Sequence, residues 1–384
     1  MERPVVAVVD DGVNDGLFPG APPLLDLEVD AAGKVVPRRE AGERALSHGT
    51  VCAAVLRAFA PGCDVVSLRA VDSRTGLGRC EALVRAVDWC AAQGLRQINL
   101  SNGSVQFFDF DALHACARRA REAGALLVAA QSNAGLFTAP ACFDGVLGVR
   151  CDGALPPGAV GICRRPADGV ELRAHLPLTL KDRYGLPKNI KLCSSYSTAA
   201  VSGMLAALGT GGRPAEEALD LLTKASFPGV RWMPVEDRPD LAEGCPVPVV
   251  VLRCGGRGFP TGTARALQRL FLEQGSQCAL LSAHPADGAC CEAFLPGDAQ
   301  RQAAACYAKY RPDVLLVEEG ESPLPSLHAD LEAHPLPDGA ALYEPGTGER
   351  RRVLYGEASA ENLFAALYAF FEPVGGSAPK EEER

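Results

Sequence analysis

Four residues of this 384-residue chain have the types and order that acyl-transfer chemistry needs: Asp10, His48, Asn133 and Ser197. A serine hydroxyl attacks a carbonyl only when a neighbouring base takes its proton, and histidine is the side chain that titrates near neutrality. A carboxylate behind the imidazole fixes its orientation, and an amide donor stabilises the oxyanion that forms. Each residue also has an ordinary use. Serine before an Ala-rich run is a common helix cap, Asp10-Asp11-Gly12 fits an Asx turn, and a single histidine at a helix start is often structural. Their order along the chain, and the elements that carry them, separate the two uses.

The Val-rich run Pro4 to Val9 predicts a buried strand that delivers Asp10 at its carboxyl end, where open parallel sheets place catalytic groups. Residues 13–47 are loop-rich, with a short hairpin near Lys34-Val35-Val36. Ser47-His48-Gly49-Thr50 opens a helix to about Phe59, so His48 stands at a helix start beside a glycine that allows close approach. Strands follow over 64–71, 97–101 and 125–130, alternating with helices over 80–93 and 109–123. The last of these strands runs into Gln131-Ser132-Asn133. Short strands over 146–150, 160–163 and 170–174 precede Cys193-Ser194-Ser195-Tyr196-Ser197, which leads into an Ala-rich helix expected to start at Ser197. A hydroxyl there meets free backbone N–H groups and the positive end of the helix dipole. Alternating strands and helices predict an α/β fold with a parallel sheet covered on both faces.

Composition narrows the setting. A net charge of −9 without a basic cluster excludes a nucleic-acid footprint and disfavours anionic membrane surfaces. No segment reaches the ~20 apolar residues of a membrane span, and the apolar run near Met1 is too short for a signal peptide. The fifteen cysteines are odd in number, lack any C-x-x-C and sit mostly singly in apolar segments. They read as free thiols in a reducing, cytoplasmic compartment, with no metal site and no cofactor implied.

Taken together, three separated motifs resemble those of subtilisin-like serine peptidases. Val-Val-Asp-Asp-Gly (8–12) is similar to the strand-Asp segment, His-Gly-Thr-Val-Cys-Ala (48–53) to the histidine helix, and Ser-Tyr-Ser-Thr-Ala-Ala (195–200) to the nucleophile turn. Ala60-Pro61, Val87-Asp88-Trp89-Cys90, Ile98-Asn99-Leu100-Ser101 and Pro140 to Asp144 resemble the family's connectors in the same order, over about residues 4–225. The resemblance implies a three-layer fold, Ser197 as nucleophile, His48 as base, Asp10 as its orienting acid and Asn133 with the Ser197 N–H as oxyanion donors. It also implies that Ser101, Asn102, Gly103, Ala129 and Ala130 edge the substrate cleft and pair with an extended peptide. Departures from the family pattern fall at Ser195, Tyr196, Gln131-Ser132 and Asn102, where they would narrow the cleft, restrict substrate choice or signal lost activity.

Residues 226–246 carry Pro228, Pro234, Pro239 and Pro246 and are expected to link a first domain (1–225) to a second (247–372), with 373–384 a disordered tail. The second domain repeats the α/β pattern and is expected to be smaller and Rossmann-like or degenerate P-loop-like. Its Gly255 to Thr263 loop has Arg257 and Thr263 where a phosphate-binding loop needs Gly and Lys, so it is expected to be a packing turn. Asp313 to Glu319 is expected to be a buried strand ending in exposed acids.

The sequence therefore implies a serine endopeptidase acting on a peptide or precursor-protein substrate. Because the catalytic motif begins within ten residues of Met1, no inhibitory prodomain is expected, which favours selective processing such as leader removal from a ribosomally made peptide. The rival is a catalytically silent fold of the same kind that binds peptide. A third reading, nucleotide-dependent chemistry at 254–263, predicts protection from thermal unfolding by ATP or GTP.

Overall fold

The computed structural model describes residues 3–14, 18, 20, 22–39, 46–72, 75–164, 166, 168–236, 245–254, 258–284, 288–294, 298–320, 327–354 and 359–371. It is a mixed α/β structure with two large, mainly parallel sheets, and the chain divides into two compact units, Met1–Pro239 and Asp240–Arg384. Arg74, Gly255 to Arg257, 237–244, Tyr355 and the expected disordered tail lie outside the described residues.

In the first unit, β1 (Val5–Asp10) is central, flanked by β4 (Asp64–Arg69) and β5 (Gln97–Leu100), both parallel to it. Beyond β5 lie β6 (Leu126–Ala130), β7 (Leu147–Cys151) and β9 (Leu172–His175). Beyond β4 lie β2 (Leu25–Val29) and β3 (Val35–Pro37). The chain thus builds first to one side of β1 and then to the other, and ligands bind at the carboxyl ends of strands at such a reversal.

Side-chain alternation in β1 sorts its residues between two helical layers. Val6 and Val8 join the core formed with α1 (His48–Phe59) and α4 (Ser194–Ala207), while Ala7 and Val9 are buried on the opposite face. Asp10 continues the even series and so projects on the side of α1. The two helices pack closely because Gly203 presses on Leu56; a Cβ at that position would stand 2.3 Å from the Leu56 carbonyl oxygen. Glycine here permits a close approach that no larger residue allows.

Several expectations change. The expected 226–246 linker contains β12 (Arg231–Pro234), which pairs in parallel with β8 (Ala159–Ile162), so this stretch completes the first unit's sheet. Trp232 explains why: its ring packs on the core and its Nε1–H donates to the Ala225 carbonyl at 2.8 Å. α4 starts three residues before the expected Ser197.

In the second unit, β13 (Val249–Leu252) lies between β16 (Val314–Glu318) and β17 (Leu331–Leu336), both parallel to it. β17 falls inside residues 321–339, whose prolines Pro323, Pro325, Pro335 and Pro337 predict a loop. Leu331 and Ala333 face the core there, and Pro335 lies near the strand's end, beyond its pairing with β13. Helices α6 (Thr263–Glu273) and α8 (Ser359–Phe371) cover this core through Phe271, Phe364 and Tyr368. Among the described residues, no helix is long and apolar enough to cross a membrane.

Candidate active site

The carboxyl end of β1 and the amino end of α1 meet as alternation requires. Both carboxylate oxygens of Asp10 lie on His48 Nδ1, at 2.8 and 2.9 Å, and Asp10 is 4% exposed. This fixes the tautomer: Nδ1 carries the proton shared with Asp10, leaving Nε2 for chemistry. Asp11 turns the other way. Its carboxylate accepts the His48 and Gly49 backbone N–H groups at 3.1 and 2.8 Å, so it caps α1 while Asp10 serves the imidazole. Burial, with Asp10 adjacent, raises the Asp11 pKa against those two N–H bonds. Gly49 cannot be larger, since a Cβ would stand 2.8 Å from the Gly12 carbonyl oxygen.

The first turn of α4 closes over the imidazole. The Tyr196 ring stacks on His48 with centroids 5.0 Å apart. Cys193 is the N-cap residue of α4, and its side chain makes no cap hydrogen bond. Burial opposes the charged forms of both His48 and Cys193, but the bonds to Asp10, Cys193 and Cys52 outweigh it for His48 and raise its pKa. The bond to His48 and the Tyr196 and Ser195 backbone N–H groups likewise outweigh burial for Cys193, which falls below the ordinary thiol range.

Ser197 is not brought to His48. It is buried within α4, its N–H bonds the Cys193 carbonyl, and its side chain meets Cys151. No hydrogen bond joins it to the imidazole among the described residues. The reason is the early start of the helix: four residues beyond Cys193, Ser197 sits more than one full turn along α4. The serine at the helix mouth is Ser195, whose hydroxyl donates to the Ser101 carbonyl at 3.0 Å. Ser101 in turn donates to Cys52 Sγ at 3.3 Å, and Cys52 Sγ lies 3.8 Å from His48 Nδ1. Ser195, Ser101, Cys52 and His48 are therefore joined by a chain of contacts.

Asn133 is placed at the same helix mouth. Its Oδ1 accepts the Ser194 N–H at 2.9 Å. That bond orients the amide, because a backbone donor must face the oxygen, and so Nδ2 is left to donate elsewhere. Ser101, Asn102 and Gly103 follow β5, and Ser104 exchanges two backbone bonds with Ala139 at 2.9 and 2.8 Å. Asn102 Oδ1 is buried without a hydrogen-bond partner. Ala129 pairs with Leu100 of β5 and Gly148 of β7, and Ala130, at the carboxyl end of β6, pairs with Val149 of β7.

Asp10, His48 and Cys52 also bring three potential metal ligands within 4.8 Å of one another. Both Asp10 oxygens are committed to His48, and burial pushes the Cys52 thiol up to about 12, which keeps it protonated. The set is built to orient a base.

No family profile matches the chain. Over 156 residues, 38% of this chain, it is 28% identical to the minor extracellular protease Epr of Bacillus subtilis (strain 168), and it spans 22% of that protein's length. Among solved structures it is similar to a lanthipeptide protease, at 15% identity over 58% of this chain and 80% of that one, with a TM-score of 0.41. The nisin leader peptidase NisP from Lactococcus lactis gives 16% identity over 60% and 85%, TM-score 0.41. The epidermin leader peptide processing serine protease EpiP from Staphylococcus aureus gives 18% over 62% and 74%, TM-score 0.44.

Proposed function

We propose that the first unit is a subtilisin-like serine endopeptidase, with Asp10, His48 and a serine of the first α4 turn as its triad. The observation that carries this reading is the two-oxygen grip of Asp10 on His48 Nδ1, with Tyr196 of the first α4 turn stacked on the same ring. Base, orienting acid and a hydroxyl within one turn form the arrangement that activates serine. The stretch similar to a protein named as a protease supports it further.

Ser195 is the nucleophile in this proposal, in place of Ser197. Its Oγ donates to the Ser101 carbonyl, and the next residue, Tyr196, stacks on the His48 ring. The hydrogen bond of a nucleophile to its base often tightens only when substrate binds. His48 would take the hydroxyl proton and pass it to the leaving amine, while Asp10 stabilises the imidazolium. The Ser195 N–H and Asn133 Nδ2 would receive the oxyanion. The 101–103 edge would hold the peptide, and the unpartnered Asn102 Oδ1 would accept one of its N–H groups.

Selective processing of a precursor peptide fits the covered base: the Tyr196 ring on His48 and the Ser104–Ala139 brace leave a restricted approach. Profiling against a diverse peptide mixture tests the reading. Cleavage confined to few sequences, and lost in His48→Ala, is the expected result. A well-folded wild type without cleavage, equal to His48→Ala, would favour the silent peptide-binding rival.

A further inference from the structure

Three of the chain's seven lysines, Lys181, Lys188 and Lys191, fall within residues 181–191, together with Arg183. The expectation of no basic cluster, drawn from a whole-chain charge of −9, is corrected here. The stretch folds into a hairpin of β10 (Leu178–Lys181) and β11 (Pro187–Ile190), a separate two-stranded sheet. Leu178, Leu180 and Ile190 pack on the core of the first unit, so the hairpin is held against the body. Its one acid is engaged inside the turn: the Asp182 carboxylate accepts the Tyr184 and Leu186 N–H groups, both at 2.9 Å, and its side chain is 13% exposed. Lys188 reaches that carboxylate only at 3.9 Å and stays 55% exposed; Lys181, Arg183 and Lys191 are exposed as well. Beside β10 lies a cavity of about 250 Å³, whose lining adds Arg3 and Arg57 to Leu180 and Lys181. Asp64, the acid of that lining, lies 3.7 Å from Arg3.

We propose that this hairpin and the cavity beside it dock an acidic, extended segment of the peptide substrate, away from the bond that is cleaved. The inference rests on the reading of the first unit as a peptidase. Charge decides the occupant. Exposed cations gathered on an otherwise acidic chain, with their neighbouring acid turned inward, attract carboxylates and repel basic segments. The backbone offers a second hold, because the outer edges of β10 and β11 pair with no strand among the described residues, and an extended peptide can add to such an edge. Tyr184 and Leu186, 72% and 56% exposed at the turn, give the segment an apolar surface.

Position ties the hairpin to the reaction. The chain from Ile190, at the end of β11, to Ser195 spans at most about 18 Å, so roughly five residues of extended peptide reach from the mouth of α4 to the near end of the hairpin. The acidic segment therefore belongs to the same peptide whose bond is cut, and it raises affinity without touching the reacting atoms.

The test measures binding apart from cleavage. Fluorescein-labelled peptides of equal length, one rich in glutamate and one rich in glutamine, are titrated against full-length His48→Ala by fluorescence anisotropy. The glutamate peptide is expected to bind about tenfold tighter, since several exposed ion pairs contribute a few-fold each, and to lose that margin in high salt. Adding Lys181→Ala, Arg183→Ala and Lys188→Ala together should abolish the margin with an unchanged melting temperature. Lys181→Glu with Lys188→Glu should turn the preference toward a lysine-rich peptide. In the cleaving wild type, a glutamate tract appended on one side of a cleaved bond is expected to lower KM by a similar factor and leave kcat unchanged. Equal affinity for the glutamate and glutamine peptides, or a margin that survives in the triple variant, overturns the proposal. So does a single-stranded oligonucleotide that displaces the labelled peptide more readily than unlabelled glutamate peptide does, since the patch would then serve nucleic acid. Failure of the underlying reading is distinct: wild type would cleave no better than His48→Ala, whatever the anisotropy shows.

Discussion

The two units end their central parallel strands in different ways. At the carboxyl end of β1, Asp10 spends its charge on an imidazole that stacks with Tyr196 of α4. At the carboxyl end of β13, Arg253 bonds Glu319 at 2.8 Å and also Glu332, while the Cys254 N–H bonds Glu319 at 3.2 Å. Glu318 is held by Ser282, and Thr263, at the start of α6, donates to the Pro260 carbonyl. The acids expected to be exposed after β16 are thus engaged, and Glu319 is 7% exposed. The same position in the two sheets carries an unspent base in one and a closed charge network in the other. A strand end does chemistry only when a group there is left with something to do. Among the described residues of 254–263, the Thr263 hydroxyl is engaged with the Pro260 carbonyl.

The contrast can be broken most sharply at His48. His48→Ala should lower kcat by ~10⁶ and Asp10→Asn by ~10⁴, the usual costs of losing the base and the orienting acid of a triad, with thermal unfolding little changed. Asn133→Ala should cost about 10²–10³ in kcat, the usual effect of removing one oxyanion donor, with a smaller change in KM. The paired network in the second unit should behave in the opposite way. Glu319→Gln leaves Arg253 with one carboxylate and should destabilise that unit by about 1–3 kcal/mol, read as a lower melting temperature, with kcat/KM for cleavage unchanged.

The smallest expected effect is on pH dependence. The raised His48 pKa means the imidazole stays protonated to higher pH, so the acid limb of kcat/KM should lie above the ordinary imidazole value of about 6.5. In Cys193→Ala one cause of that rise is gone, and the limb should move toward lower pH. A limb that stays in place would show that the thiol does not act on the base. The linked stability contribution has the same sign: it is full below the unfolded histidine pKa and is lost as pH rises through the folded one.

Much of the site was legible in the sequence because strand alternation and a helix start are local signals. Asp10 at the end of a Val-rich strand, His48 after Ser47 and Asn133 after an apolar strand all follow from nearby residues. Which serine of the Ser194 to Ser197 turn stands at the helix mouth did not. Ser194, Ser195 and Ser197 share one short polar turn, and only the packing of Gly203 on Leu56 fixes how far along the helix each one lies. Cys193 was missed because it was counted among small hydrophobes; its position just before a helix start could have marked it. β12 and β17 were hidden by proline, which ordinarily signals loops, although neither strand uses its proline's missing N–H in the described pairing of its inner face.

The central claim is that the mouth of α4, and not its second turn, supplies the nucleophile to His48. Labelling with a fluorophosphonate, followed by mapping of the modified peptide, tests this most directly. A single adduct on Ser195, absent from Ser195→Ala and His48→Ala but retained in Ser197→Ala, is the predicted result. An adduct on Ser197, or equal labelling of wild type and His48→Ala, would contradict it.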